Sequence, residues 1–576
     1  MRTNQYIRLR ILALGLMFTL GFAVIGGKAL LLQVYDGLWL SRKATGQVED
    51  SLRAVGKRGA IFDRRGHEMA VSIDVASIAV RPRQVKDAEA TARELARVLK
   101  KKPAEVKERV AAGKPFVWIK RQATPREADA VRELRLPGVE FVADSNRFYP
   151  NRTLAAHALG FTGMDGKGLE GIEFFYDREL RGTATSVKVL KDARGNDFQT
   201  EHASENESAG KNVVLTLDHG IQFITETALN DAVASSRARS GMAVVMEPRT
   251  GAVLALALAP AFNPNAYEEA KKQLWRNRAV TDPFEPGSIM KIFVAAAALE
   301  FTNLSPQTTF HCENGAYRIG KYTVHDVHHY GVLTLRDIIK FSSNIGAAKI
   351  GEKVGPEKLY QSLRLFGFGQ KTGIDAPAET TGLLMPFTKW AGIDTAAISF
   401  GHGVSVSAVQ LIAAVSAIAN DGVLMKPRMV QAVTDPQGQI LQRFEPEEVR
   451  RVVSVETART VKEIMQTVVL PGGTGVQAAL EGYTAGGKTG TARKVDDNGQ
   501  YSNERHVASF IGFAPAENPR VAVLVVIDEP RGQIYGGAVA APVFKKIAQT
   551  TLNLMNVPPL NTAENLRVSM DRGGRG

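Results

Sequence analysis

The chain has 576 residues and a net charge of +13, too long for one hydrophobic core, so two or three domains are expected. Hydrophobic residues at 44% and charged residues at 23% are ordinary globular values. The single cysteine, Cys312, excludes an intramolecular disulfide framework. The positive charge comes without zinc spacing, an RNA-binding signature or an arginine-rich arm. Nucleic acid is therefore a poor partner, and anionic surfaces such as lipid headgroups are better ones.

In chain order, Arg2, Arg8 and Arg10 precede an apolar run over 11–27 that resumes after Lys28 and continues to 34. About 20 apolar residues cross a bilayer as helix, and 11–34 suffices if Lys28 snorkels or lies near the outer end. A cleavable signal would have a shorter apolar region and a small-x-small site. A retained single-pass anchor with a cytoplasmic N-terminus is expected instead. Residues 35–57 read as a helical polar stalk. From 57 to 211 the sequence is strand- and turn-rich with one helical insertion over 88–112, where Leu95, Val98, Leu99 and Val106 recur at helical spacing. The Ser-rich segment 201–210 reads as a linker. Beyond it, 212–217 predicts a strand and 221–234 a helix. Apolar runs at 242–246 and 253–259 flank a turn at 247–251, and runs at 506–515 and 520–527 flank another. A helix is expected over 539–553. With 290–480 mostly helical, 212–556 reads as one α/β domain whose sheet is completed by distant segments, and 557–576 as a disordered tail.

Three motifs could carry chemistry. Ser288-Ile-Met-Lys291 opens an apolar, Ala-rich helix. Ser288 would lie in its first turn, where backbone N–H groups and the helix dipole favour developing negative charge. Lys291 would lie on the same face and could take the serine proton if burial lowers its pKa. Ser342-Ser-Asn344 precedes a small-residue helix. Its plain reading is capping; its catalytic one makes Ser342 a proton relay and Asn344 a ligand of substrate amide or of the lysine. Lys488-Thr-Gly-Thr491, read as a strand edge, offers a cation from Lys488 and the Thr489 and Thr491 hydroxyls to a carboxylate. Gly490 allows close approach, and the Thr491 and Ser288 N–H groups can pair as an oxyanion hole. Each motif has a double elsewhere: Ser208–Lys211, Ser204–Asn206 and Lys371–Gly373. The first two fall in the linker, a poor place to shield a nucleophile from water, and the third in a Gly/Pro loop with no strand to present it. Residues 482–489 also fit a phosphate-binding loop. However, Gly490 and the turn signal at 496–499 favour a hairpin over the helix such a loop requires, so an ATPase is rejected. His311, Cys312, His325, His328 and His329 match no standard zinc spacing, and no metal or other cofactor is expected.

The ordered motifs, together with Arg276-Asn-Arg-Ala-Val-Thr-Asp-Pro-Phe-Glu-Pro-Gly-Ser288, closely resemble the class B penicillin-binding proteins, serine D,D-transpeptidases that crosslink peptidoglycan. Arg58-Gly-Ala-Ile-Phe-Asp-Arg-Arg-Gly66, Arg147-Phe-Tyr-Pro150 and Gly168-Leu-Glu-Gly-Ile-Glu173 look like that family's N-terminal pedestal. Ser399-Phe-Gly-His-Gly403 and Gly472-Gly-Thr-Gly475 match its transpeptidase domain. The resemblance implies an α/β fold: a penicillin-binding, serine β-lactamase-like domain at 212–556, with an antiparallel sheet and a helical subdomain. That domain would stand on a strand-rich pedestal at 41–211 behind an anchor at 1–40, with no glycosyltransferase domain upstream. It also implies Ser288 as nucleophile attacking the penultimate D-Ala of a stem peptide, Lys291 as base, Ser342 as relay, and β-lactams as covalent inhibitors. Thr281-Asp-Pro-Phe-Glu-Pro-Gly resembles the septal (FtsI) type more than the elongation type, although Ile289 departs from the usual Thr or Val. The implied setting is the bacterial inner membrane at the division septum, with the catalytic domain periplasmic. The implied partners are lipid II-derived glycan, a SEDS-type glycosyltransferase (FtsW) and other divisome membrane proteins. A non-catalytic β-lactam sensor or division scaffold is the alternative.

Overall fold

The computed structural model describes residues 2–36, 49–182, 184–191, 197–199, 209–496 and 498–560. Residues 201–208 of the expected linker at 201–210, with the doubled Ser204–Asn206 and Ser208 of the other doubled motif, and the tail beyond 560 lie outside the described residues. By internal contacts the chain divides into two units, 1–57 with 182–210 and 58–181 with 211–576. In the first, the helix Arg2–Leu30 runs into a wider turn at Leu31–Tyr35. Among the described residues it is the one helix long and apolar enough to cross a membrane. Of the stalk expected to be helical over 35–57, residues 37–48 lie outside the described residues, and Glu49–Val55 is a strand pairing antiparallel with Ala184–Lys191, which also pairs with Asp197–Gln199.

In the second unit a seven-stranded sheet runs from Ile440–Arg443 through Val430–Thr434 and Asn212–Leu215 to Ile61–Phe62 and Glu68–Val80. Val117–Ala123 and Val139–Phe148 both pair with Glu68–Val80. Ile61 and Phe62 lie parallel to Val213 and Val214, so segments 150 residues apart in sequence share one ladder. The insertion at 88–112 is two helices, Ala88–Leu99 and Pro103–Ala111. Lys100 at φ 53° ends the first and Pro103 starts the second, because proline is welcome only in a first helical turn. Leu95, Leu99, Val106 and Val110 pack on Ile78, Val80 and Ile119 of the sheet.

The rest of this unit is built on α1 (His219–Ser235) and a five-stranded antiparallel sheet. Its strands are β1 (Ser240–Met246), β2 (Val253–Ala259), β3 (Gly486–Val495), β4 (Tyr501–Ala514) and β5 (Val521–Asp528), in the order β2-β1-β5-β4-β3. Residues in β5 alternate between two cores. Val521, Val523, Val525 and Ile527 meet α1 and α7 (Ala541–Leu554). Ala522, Leu524 and Val526 join the core that contains α2 (Lys291–Phe301), α5 (Ala408–Ala419) and α6 (Val455–Val469). The helical subdomain also holds α3 (Leu335–Phe341) and α4 (Asn344–Val354). The architecture is the expected one: an antiparallel sheet with a helical subdomain, joined to strand-rich N-terminal segments.

Three segments quoted from the sequence, around Arg58, Arg147 and Glu173, meet in a buried charge cluster. Glu173 Oε2 accepts from Arg58 Nε and Oε1 from Arg147 Nε, each at 2.6 Å, and Arg58 also reaches Asp177 Oδ1 at 2.7 Å. The Glu173 side chain has no exposed surface. Removing it takes the ion-pair partner from buried Arg147 and leaves buried Arg58 with Asp177 alone, so Glu173→Ala is expected to cost about 3–5 kcal/mol of unfolding free energy, read by denaturant titration of the detergent-solubilised chain.

Candidate active site

The segment Phe284-Glu-Pro-Gly287 leads into a tight turn, Gly287–Met290, that continues directly as α2. Gly287 sits at φ 54°, and a Cβ there would meet the Thr491 carbonyl oxygen at 3.0 Å. Both conditions select glycine. The turn leaves Ser288 half-buried at the mouth of a cleft and turns Lys291 fully inward. Ser342, at φ 63°, ends α3, and Ser343 rather than Ser342 caps α4, accepting from the Gly346 N–H at 2.9 Å. The Ser342 side chain is thereby freed from capping and faces the lysine.

Lys291 Nζ lies 3.0 Å from Ser288 Oγ, 2.5 Å from the Ser342 carbonyl, 3.2 Å from Ser342 Oγ and 2.8 Å from Asn344 Oδ1. The carbonyl and the amide oxygen can only accept. A neutral amine would satisfy both with its two N–H groups and turn its lone pair to the Ser288 hydroxyl. Burial lowers the Lys291 pKa to about 7, against the opposing pull of Asp326. On β3, which among the described residues pairs only with β4 and so forms a sheet edge, Lys488 is also fully buried. Its Nζ donates to Ser342 Oγ at 2.8 Å and the Thr489 carbonyl at 3.1 Å. Burial, then repulsion from Lys291, pushes Lys488 well below the usual lysine range. Two amines therefore converge on one serine hydroxyl, an arrangement able to move a proton between Ser288 and a group beside Ser342.

A Cβ on Gly490 would meet Ser509 Oγ at 2.3 Å and the Pro286 carbonyl at 3.0 Å, so only glycine lets β3 lie against the Ser288 turn. Thr489 Oγ1 is 2.9 Å from Thr474 Oγ1, and Thr491 Oγ1 accepts from the Gly536 N–H at 3.3 Å. Ser288, Ser342, Asn344, Thr489 and Thr491 line one cleft of about 1010 Å³, together with His402, Arg493, Tyr501 and Tyr535. Those last four were not singled out as site residues from the sequence. His402 lies in a quoted segment, yet nothing local indicates that its ring stands 4.9 Å from that of Tyr501. Burial and the neighbouring Lys291 and Arg493 charges push His402 down to about 4, leaving it neutral near pH 7.

The doubled Lys-Thr-Gly at 371 is elsewhere, with Thr372 and Gly373 N–H groups donating to Glu379. Residues 482–489 open into a strand, leaving no helix N-terminus to hold phosphate. Among the described residues no three His, Cys, Asp or Glu side chains converge as a metal site. His311 lies beside Glu313, His329 beside the Asn314 carbonyl, and Cys312 is buried against Ser343.

Comparison with known proteins follows the geometry. Residues 241–549 match the penicillin-binding protein transpeptidase domain family, and residues 53–215 the penicillin-binding protein dimerisation domain family. The chain is 37% identical to the probable peptidoglycan D,D-transpeptidase PenA of Neisseria gonorrhoeae, over 97% of this chain and 94% of the relative. It is 36% identical to the peptidoglycan D,D-transpeptidase FtsI of Escherichia coli, covering 87% and 84%. It is 35% identical to the stage V sporulation protein D of Bacillus subtilis, covering 97% and 87%. The crystal structure of penicillin-binding protein 3 from Mycobacterium tuberculosis complexed with aztreonam superposes with a TM-score of 0.69 at 31% identity, covering 89% of this chain and 98% of that one.

The buried amine has a measurable thermodynamic signature. Lys291 falls from 10.5 in the unfolded chain to about 7 in the folded one. Between those values the unfolded state holds the extra proton, so stability rises with pH across that window. Lys291→Met should raise the unfolding free energy at pH 7 and flatten the rise toward alkaline pH, as read by denaturant titrations over a pH series.

Proposed function

Since the chain belongs to the class B penicillin-binding proteins, the D,D-transpeptidases that crosslink peptidoglycan, we propose that Ser288 is its nucleophile and that Lys291, Ser342, Asn344 and Lys488 run the proton transfers. The observation that carries this reading is the convergence of both lysine amines on the Ser342 hydroxyl with Ser288 beside the first. Neutral Lys291 takes the Ser288 proton as Oγ attacks the penultimate D-Ala carbonyl of a stem peptide. The oxyanion is held by the Ser288 and Thr491 N–H groups, each such donor worth about 3–4 kcal/mol in the transition state. The C–N bond breaks, and terminal D-Ala leaves with a proton delivered through Ser342, which Lys488 hydrogen-bonds. The stem is then an ester on Ser288. An amine from a neighbouring stem attacks that ester and returns its proton along the same path. Lys488, with the Thr489 and Thr491 hydroxyls, suits the substrate carboxylate, and Asn344 holds Lys291. β-Lactams enter as acylating agents of the same serine.

The septal assignment rests on Thr281-Asp-Pro-Phe-Glu-Pro-Gly287 and is supported by the likeness to FtsI. The apolar helix Ile7–Tyr35, with Arg2 just before it and Arg8 and Arg10 in its first turn, supports a single-pass anchor, with the N-terminus cytoplasmic and the catalytic domain periplasmic. A SEDS-type glycosyltransferase (FtsW) and other divisome proteins are its partners in this reading. A fluorescent fusion should gather at the division site; an even distribution along the lateral wall would favour the elongation type.

Ser288→Ala should abolish covalent labelling by a fluorescent penicillin, with mass spectrometry mapping the parent's adduct to Ser288. An adduct elsewhere would overturn the nucleophile, and growth of a depletion strain on Ser288→Ala alone would favour a scaffold. Lys488→Ala should slow acylation by about a hundredfold or more, while Lys371→Ala, in its exposed loop, should label like the parent.

A further inference from the structure

The stretch from His311 to His329, which gathers no metal among the described residues, carries a carboxylate to the Ser-x-Asn segment. A hairpin, Ala316–Ile319 with Tyr322–His325, ends at Asp326. Asp326 Oδ1 accepts from the N–H groups of Asn344 and Ile345, and Oδ2 from Ser343 Oγ at 2.6 Å. The preceding His325 carbonyl accepts from Asn344 Nδ2 at 2.9 Å, which fixes the amide so that its Oδ1 faces Lys291. The hairpin is tied to α4 further along by Tyr317 to Glu352, and the turn before it by Glu313 to Lys349.

A helix start needs acceptors for its first N–H groups, and Ser343 already serves the Gly346 N–H. A second, charged acceptor on the first two N–H groups does more than cap. It pins the residues next to Ser342, whose left-handed φ of 63° persists only where neighbours over-determine it. We propose that Asp326 is a positioning residue of the acyl-transfer centre, locking Ser342 and Asn344 against Lys291 and lending that lysine a nearby carboxylate. The inference rests on the reading of Ser288 and Lys291 given above. The groups facing Asp326 are Lys291, Cys312 and Tyr330; those facing Lys291 are Asp326, Lys488 and His402. Within this set Asp326 is the group that holds the Lys291 proton on, so losing its charge lowers the pH at which the lysine becomes a free base.

The test measures acylation by a fluorescent penicillin across pH values around 7, using the full detergent-solubilised chain and normalising to the fraction that labels at completion. Asp326→Ala should acylate roughly a hundredfold more slowly. Asp326→Asn keeps an oxygen for the Asn344 and Ile345 N–H groups. It should recover most of the rate while the acidic limb of the profile moves down by roughly one pH unit. Tyr317→Phe, which loosens the hairpin without touching Asp326, should leave the limb in place. Parental rate and limb in Asp326→Ala would overturn the inference. So would an unmoved limb in Asp326→Asn, which would reduce Asp326 to a structural cap. If labelling of the parent chain survives Ser288→Ala, the functional reading falls and this one with it.

Discussion

Two lysine amines buried from water on a single serine hydroxyl are the constraint around which the catalytic half is organised. Lys291 and Lys488 reach Ser342 Oγ at 3.2 and 2.8 Å, and both are fully buried. Burying one cation is costly and burying two side by side more so. The cost falls as protons leave, which is why both pKa values drop. The partners supplied are neutral: carbonyls, hydroxyls and one amide. A carboxylate bonded to either amine would relieve the burial and hold the proton on. The protein instead keeps Asp326 one residue removed, on the backbone of the segment that Lys291 touches. Stability is given up at both lysines, and in the proposed mechanism this leaves the Lys291 amine free to act as a base near neutral pH.

Holding such a centre requires rigid walls, because nothing within it is strongly attractive. One wall is the edge strand β3, backed by β4 and β5, whose side chains lie in two cores. Gly490 and Gly287 let that edge press on the Ser288 turn with no side chain between them. The opposite wall is the junction of α3 and α4, braced by the 316–325 hairpin. Below, Ile61–Phe62 enters the ladder beside Asn212–Leu215, and the Arg58–Glu173–Arg147 cluster joins segments that are distant in sequence.

Much of the scaffold was legible because its signals are local. β1, β2, β4 and β5 announce themselves as apolar runs flanking turns, and the turn at 496–499 correctly argued for a hairpin where 482–489 mimics a phosphate loop. The misread elements were those with a second signal overlying the first. The run 88–112 has helical spacing throughout, yet Lys100 and Pro103 divide it. The polar stretch at 49–55 read as helical stalk until a partner strand 130 residues away paired with it. Capping, the plain reading of the Ser342–Asn344 motif, falls to Ser343 alone, which the sequence did not single out.

The sequence by itself determined the candidates: residue types whose chemistry is intrinsic, an order of motifs, an apolar anchor, and enough likeness to place the chain in its family. Only the tertiary structure decided which lysines lose their water, which serine hydroxyl two of them share, and that Asp326, His402, Arg493 and Tyr501 stand close by. Nucleophilicity and pKa depend on desolvation and on charges a few ångströms away. Those distances are set by strand pairing and helix packing between segments some 50 to 200 residues apart, which no local pattern encodes.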